Sequence, residues 1–286
     1  MFGDSVRRRA PLLQVRAHAA ALFDLLIKPV QASLSGADEI VIVPDRQLYR
    51  VPFAALFDLS SQSYLTERFA IRFALSASTV RQETATAVLH PALVVADPPT
   101  PRWPRLPESL KEGDSIAAAY AATRLFGDQA TRSRFLAAAA GSALIHYAGH
   151  ADSDVADSYG ALLLAPSGND SGVLSSTDIE HLKFTKHPLM VLAACGTFRG
   201  DPIHVGGMSS LARAFLIAGA RAVSGSLWEI DDDIASVFYL RFHDHLRSGD
   251  SPEHAVQAAQ LDMIHSPDPR LQHPASWGPV ELLSSF

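Results

Sequence analysis

The chain has 286 residues, and 48% of them are hydrophobic, enough for a sizeable core and too many for a globally disordered protein. A net charge of -6 argues against nucleic-acid binding, which needs a basic face, and leaves a protein or peptide partner open. A single cysteine cannot close an internal disulfide, which points to a reducing, cytoplasmic setting.

The start is basic at Arg7 to Arg9, but Arg16, His18, Asp24 and Lys28 follow, and a secretory signal would not tolerate them. Apolar stretches are broken by charge too soon to span a bilayer, so no membrane segment is expected. Residues 10–35 have helical spacing, with Gly36 as the stop. Glu39 to Pro44 reads as a buried strand. A turn at Asp45-Arg-Gln follows, with a returning strand from Leu48 to Pro52. Phe69 to Leu75 alternates as a strand, and Ala92 to Asp97 is another buried one.

Five prolines between Pro98 and Pro107 mark an exposed loop. Helices are expected over 112–126 and 131–139, with Thr131 as a cap. Two apolar runs come next. One is Ser142 to His150 and the other Leu189 to Cys195, with the strand Ala161 to Ala165 between them. Gly206-Gly207 opens a helix over 208–218. Ala222 to Trp228 is a strand, 234–247 a helix, and Pro252 begins another. The tail from Ala275 reads as a closing edge strand. Alternating strands and helices imply an α/β fold with a mostly parallel sheet covered on both faces.

The chemistry concentrates where two of those strands end. Adjacent parallel strands would bring His150 and Cys195 to one carboxyl edge, where open α/β sheets carry their sites. A thiol beside an imidazole suggests a cysteine nucleophile with a histidine base. The backbone N–H groups of Ala151 and Cys195 are candidates for holding the oxyanion. His146 and His150 with Asp152 invite a metal reading. Their spacing matches no zinc signature, and His146 inside an apolar run reads as a hydrogen-bonded core histidine, so no metal and no cofactor is expected. Glu229, Asp231, Asp232 and Asp233 follow the strand ending at Trp228. They read either as helix-starting acids or as a pocket wall selecting a basic side chain.

The order of these segments resembles the CHAT domain family, caspase-like cysteine peptidases related to separase (clan CD). The segments are Val41 to Asp45 with Val51 to Leu56, Ser76-Ala-Ser78, Ala92 to Pro98 and His146-Tyr-Ala-Gly-His150. Val191-Leu-Ala-Ala-Cys195, Gly207 to Ala220, Ser226-Leu-Trp228 and Pro274 to Pro279 complete the series. The resemblance implies a caspase-like three-layer α/β/α sandwich over the single domain 1–286, with an N-terminal subdomain at roughly 1–90 and a catalytic part at roughly 91–286. It implies a Cys195–His150 dyad cleaving protein targets. Ala193, Trp228, Glu229, Asp231 and Asp232 are the implied substrate-pocket residues. Regulation by a separate tetratricopeptide-type or other sensor is also implied, in a setting such as bacterial defence or cell death. Ala151 departs from the family's habitual glycine and narrows the oxyanion region while keeping its N–H, and Gly196-Thr-Phe-Arg199 departs in the loop beside the nucleophile and bears on substrate preference. A catalytically silent or latent interaction module is the competing reading, with the 195–206 loop as the switch.

Overall fold

The computed structural model describes residues 2–80, 89–152, 155, 158–194, 196–198 and 210–284. Its helices are α1 (Phe2–Arg7), α2 (Leu12–Leu26), α3 (Pro107–Tyr120), α4 (Arg132–Ala139) and α5 (Ser176–Glu180). They continue with α6 (Leu211–Ile217), α7 (Asp232–Ser248), α8 (Pro252–Ile264), α9 (Pro269–Gln272) and α10 (Pro274–Trp277). The strands are β1 (Glu39–Ile42), β2 (Phe57–Asp58), β3 (Ser63–Tyr64), β4 (Ala70–Ala74), β5 (Ala92–Ala96), β6 (Thr123–Phe126) and β7 (Leu144–Ala148). After these come β8 (Ala151–Asp152), β9 (Ala161–Leu163), β10 (Val173–Ser175), β11 (Leu189–Ala193), β12 (Ala222–Ser226) and β13 (Val280–Ser284).

Eight strands form one sheet in the order β1-β4-β13-β12-β11-β7-β5-β6. Neighbours pair in parallel except at β12–β13, where two parallel blocks meet antiparallel. Helix α7 contacts both α3 and α8, and all three contact the sheet, while α4 and α6 pack on other strand contacts with α5 against α6. Strands β5, β7 and β11 are apolar along nearly their full length and buried, as a sheet covered on both faces requires.

Chain order reverses between β5 and β7. β6 lies outward of β5 on one side, and β7, β11 and β12 follow on the other. Such a switch point opens a crevice at the carboxyl ends of the two strands, which is where open α/β sheets bind ligands. Residues Ala96, Ala148 and Ala193 sit in register there and form a rim of small side chains.

Several local expectations are corrected. The stretch expected to return as a strand after Asp45 is a 3-10 helix, Arg46–Arg50, entered by Arg46 at φ 48°. The helix expected over 112–126 begins at Pro107 and stops at Ala121, which adopts φ 47° and closes it. Residues Thr123–Phe126 turn back as the outer strand β6. The tail is not an edge. Residues Pro274–Trp277 are helical, and β13 lies inside the sheet between β4 and β12. Its buried Leu283 pairs with Val223 on one side and Phe73 on the other, which the local pattern could not reveal. Strand β9 belongs to a separate three-stranded sheet, β10-β9-β8, beside the rim.

Candidate active site

His150 lies two residues beyond the end of β7, and Cys195 lies two residues beyond the end of β11. The last paired residues of the two strands, Ala148 and Ala193, face each other in register. Cys195 itself is outside the described residues, as is the expected switch loop with Arg199, Asp201 and His204. Its neighbours Ala194 and Gly196 are described. Ala193 and Ala194 line one small cavity with Gly149, His150, Ser226, Glu112 and Asp232. The strand ends stay joined at the rim, where Gly149 N–H donates to Ala193 O at 3.3 Å and Asp97 N–H to Ala148 O at 2.9 Å.

The motif His146-Tyr-Ala-Gly-His150 has a packing logic for each member. Tyr147 is fully buried, and its Oη lies 2.7 Å from both His150 O and Leu163 O. A Cβ on Gly149 would meet that hydroxyl at 2.8 Å, so glycine lets the chain turn over the tyrosine. Leu163 N–H donates to His150 O, which makes Ala151 and Leu162 the non-hydrogen-bonded pair of the β8–β9 ladder. The Ala151 N–H is therefore turned away from β9.

The imidazole of His150 is held by the proline-rich loop. Its Nε2 lies 2.7 Å from Pro104 O, and Trp103 stacks on the ring at 5.4 Å between centroids. A carbonyl accepts only, so Nε2 carries the proton and Nδ1 is left with the lone pair. Asp97, at the end of β5, folds this loop back. Its buried carboxylate accepts from Arg105 Nε at 2.8 Å, Arg105 Nη2 at 2.6 Å and Leu106 N–H at 2.9 Å. Hydrogen bonding to Asp97 raises the Arg105 pKa further. Composition marks this loop as exposed but carries no signal that Trp103 and Pro104 would reach a histidine 46 residues on.

The acidic stretch separates into distinct tasks. Asp232 lines the cavity and accepts from Glu108 N–H at 3.0 Å and Ser109 Oγ at 2.9 Å, so it caps α3 rather than its own helix. Asp231 precedes α7, makes no side-chain cap and pairs with Arg9, while Asp233 pairs with Arg270. Glu229 is exposed, and Trp228 is buried with Nε1 directed at Ala275 O. Of the expected pocket residues, the cavity lining brings Ala193 and Asp232 together with His150 and leaves out Trp228, Glu229 and Asp231.

Behind the cavity lies a second histidine cluster. His146 is 0% exposed, with Nε2 2.8 Å from Oε1 of Glu112, itself 1% exposed. The contact is at ion-pair distance, but neither atom has an aligned hydrogen-bond partner among the described residues. His146 Nδ1 lies 3.1 Å from His243 Nε2, and His243 Nδ1 lies 3.2 Å from Tyr120 Oη. Burial pushes the Glu112 pKa up, against the pull of His146. Burial and His146 together push His243 well down.

A switch-point site closed by a histidine on one strand end defines an α/β/α fold of the caspase-like class. Its solved neighbours are cysteine peptidases. The Arg-specific cysteine proteinase gingipain R superposes with TM-score 0.61 at 12% identity, covering 99% of this chain and 72% of that one. Separase in the Saccharomyces cerevisiae separase–securin complex superposes with TM-score 0.60 at 14% identity, covering 86% of this chain and 16% of that one. The CHAT domain pattern matches residues 16–285, and the chain belongs to that family. Tetratricopeptide repeat protein 28 of Homo sapiens and that of Mus musculus are each 24% identical over 93% of this chain. The chain spans 13% of the length of each. Among the described residues no helix is long and apolar enough to cross a membrane.

Proposed function

We propose that this protein is a cysteine endopeptidase in which Cys195 is the nucleophile and His150 the base. The observation that carries the reading is the register of β7 and β11. Both reactive residues follow the paired Ala148 and Ala193 by two positions, and His150, Ala193 and Ala194 line one cavity. Nδ1 of His150 takes the thiol proton as sulfur bonds to the peptide carbonyl carbon. The resulting oxyanion is met by the N–H groups of Ala151 and Cys195. The C–N bond then breaks, and the leaving amine takes the proton from His150. Water gives a proton to His150 and attacks the thioester, and the C–S bond breaks to release the acid and restore the thiol.

The test is cleavage of a peptide library by Cys195→Ala and His150→Ala, each checked for native circular dichroism. Both variants lose turnover by about 10³-fold or more. Wild-type-like cleavage by either would sink the proposal. A basic residue before the scissile bond is the preferred substrate, because the Asp232 carboxylate lines the cavity. Asp232→Asn then narrows the preference for arginine over alanine, and an unchanged ratio removes that assignment.

A specific observation favours a latent form of this enzyme. The cavity is small, and Trp103 stacks on the catalytic ring. A substrate side chain needs that site to open, and a separate sensor partner would supply the trigger. Small alkylating reagents should reach Cys195 in the isolated chain, whereas peptide-sized ones require the partner. Equal reactivity toward both reagents without a partner argues against latency.

A further inference from the structure

Strands β11 and β12 diverge just before the candidate site. Their ladder is in register from Leu189 and Ala222 to Val191 and Ser224 and goes no further. β11 nevertheless continues to Ala193, so beyond Val191 its backbone has lost its neighbour on the β12 side. Buried backbone donors and acceptors need partners. One hydroxyl supplies them. Ser226 Oγ donates to Ala194 O at 3.1 Å and accepts from Gly196 N–H at 3.3 Å, thereby engaging the residue on each side of Cys195.

The same position holds the next two residues through its backbone. Ser226 N–H donates to Thr197 Oγ1 at 3.1 Å, and Phe198 N–H donates to Ser226 O at 3.0 Å. Gly225 is what allows the approach, since a Cβ there would collide with Thr197 Oγ1 and the Phe198 ring. Gly196 turns at φ 64°, a conformation that glycine adopts freely. Ser226 is 3% exposed and lines the cavity shared with His150. Only a hydroxyl can donate to one backbone group and accept from another at a single atom in so small a space.

We infer that Ser226 is the positioning residue of the nucleophile: its hydroxyl fixes the backbone on both sides of Cys195 and so sets the thiol's reach to His150. The inference rests on the Cys195–His150 dyad. It also assigns the Gly196 N–H to the clamp, which leaves the oxyanion to other donors. Displacing a reacting group by about an ångström costs about 10²-fold in rate, so the clamp controls reactivity without touching substrate.

Cys195 is the sole thiol, so alkylation by iodoacetamide across pH reads it directly. Wild type, His150→Ala, Ser226→Thr, Ser226→Val and Ser226→Ala are compared in native and denatured states. Ser226→Thr keeps the hydroxyl and labels within about threefold of wild type, whereas Val and Ala lose about 10- to 100-fold near neutral pH. Their pH profile also moves toward that of a free thiol, at about 8.5. A merely structural role would lower the melting temperature without moving the profile, and that result overturns the inference. If neither hydroxyl-free variant folds, the hydroxyl serves folding and the positioning role is lost. A wild-type profile already like a free thiol, unchanged in His150→Ala, overturns the dyad itself. A shifted wild-type profile that Val leaves intact overturns the positioning role alone.

Discussion

Two histidines four residues apart have opposite surroundings. His146 lies inside β7, fully buried against Glu112 and His243. His150 lies past the strand's end, half-buried, with one ring nitrogen on Pro104 O and its face on Trp103. Residues four apart on a strand share a face, but β7 stops at Ala148 and the alternation does not carry through to His150. One histidine is therefore part of the core and the other sits where a reacting group can move. The pattern of a strand tells which residues are buried, and the point where the strand ends tells which can do chemistry.

The largest expected effect separates the two by activity. His150→Ala abolishes turnover, as set out above, with a urea midpoint near that of wild type, because the ring is only half-buried. The mirror experiment is His146→Ala. It leaves the buried Glu112 carboxyl without its 2.8 Å neighbour and costs about 1–3 kcal/mol in urea unfolding. A His146→Ala protein as stable as wild type would erase the distinction.

The next effect probes what holds His150. Asp97→Asn weakens the grip on Arg105, loosens the loop bearing Trp103 and Pro104, and lowers kcat/KM by about 10- to 100-fold. Arg105 is largely exposed, so the ion pair contributes only about 0–1 kcal/mol to stability. Loss of stability without loss of rate would show that the loop merely packs.

The smallest effect is in pH dependence. His243 has its folded pKa lowered below 6.5, so the unfolded chain takes up the proton first. Its contribution is complete above about pH 6.5 and falls away as pH drops toward the lowered value. Glu112 is raised above 4.5, so its contribution is complete below that pH and is lost as pH rises through the folded value. His243→Asn should flatten the acid side of a plot of melting temperature against pH. An acid limb that keeps its slope in this variant would assign the titration to another group.

The sequence carried the alternation of β5, β7, β11 and β12 with helices, because buried strands write continuous apolar runs and helices write a longer period. It also carried the two strand ends that precede His150 and Cys195, and the assignment of His146 to the core. It misread Leu48 to Pro52 as a returning strand and the tail from Ala275 as an edge. The place of β13 inside the sheet depends on neighbours far away in the chain. Only the tertiary structure brought Pro104 O to His150 across 46 residues, Asp232 to the start of α3 across 124, and Ser226 to Gly196 across 30. A local pattern records which face of a segment is buried. Which donor meets which acceptor is decided by strand order and register, and those emerge only when the whole sheet assembles.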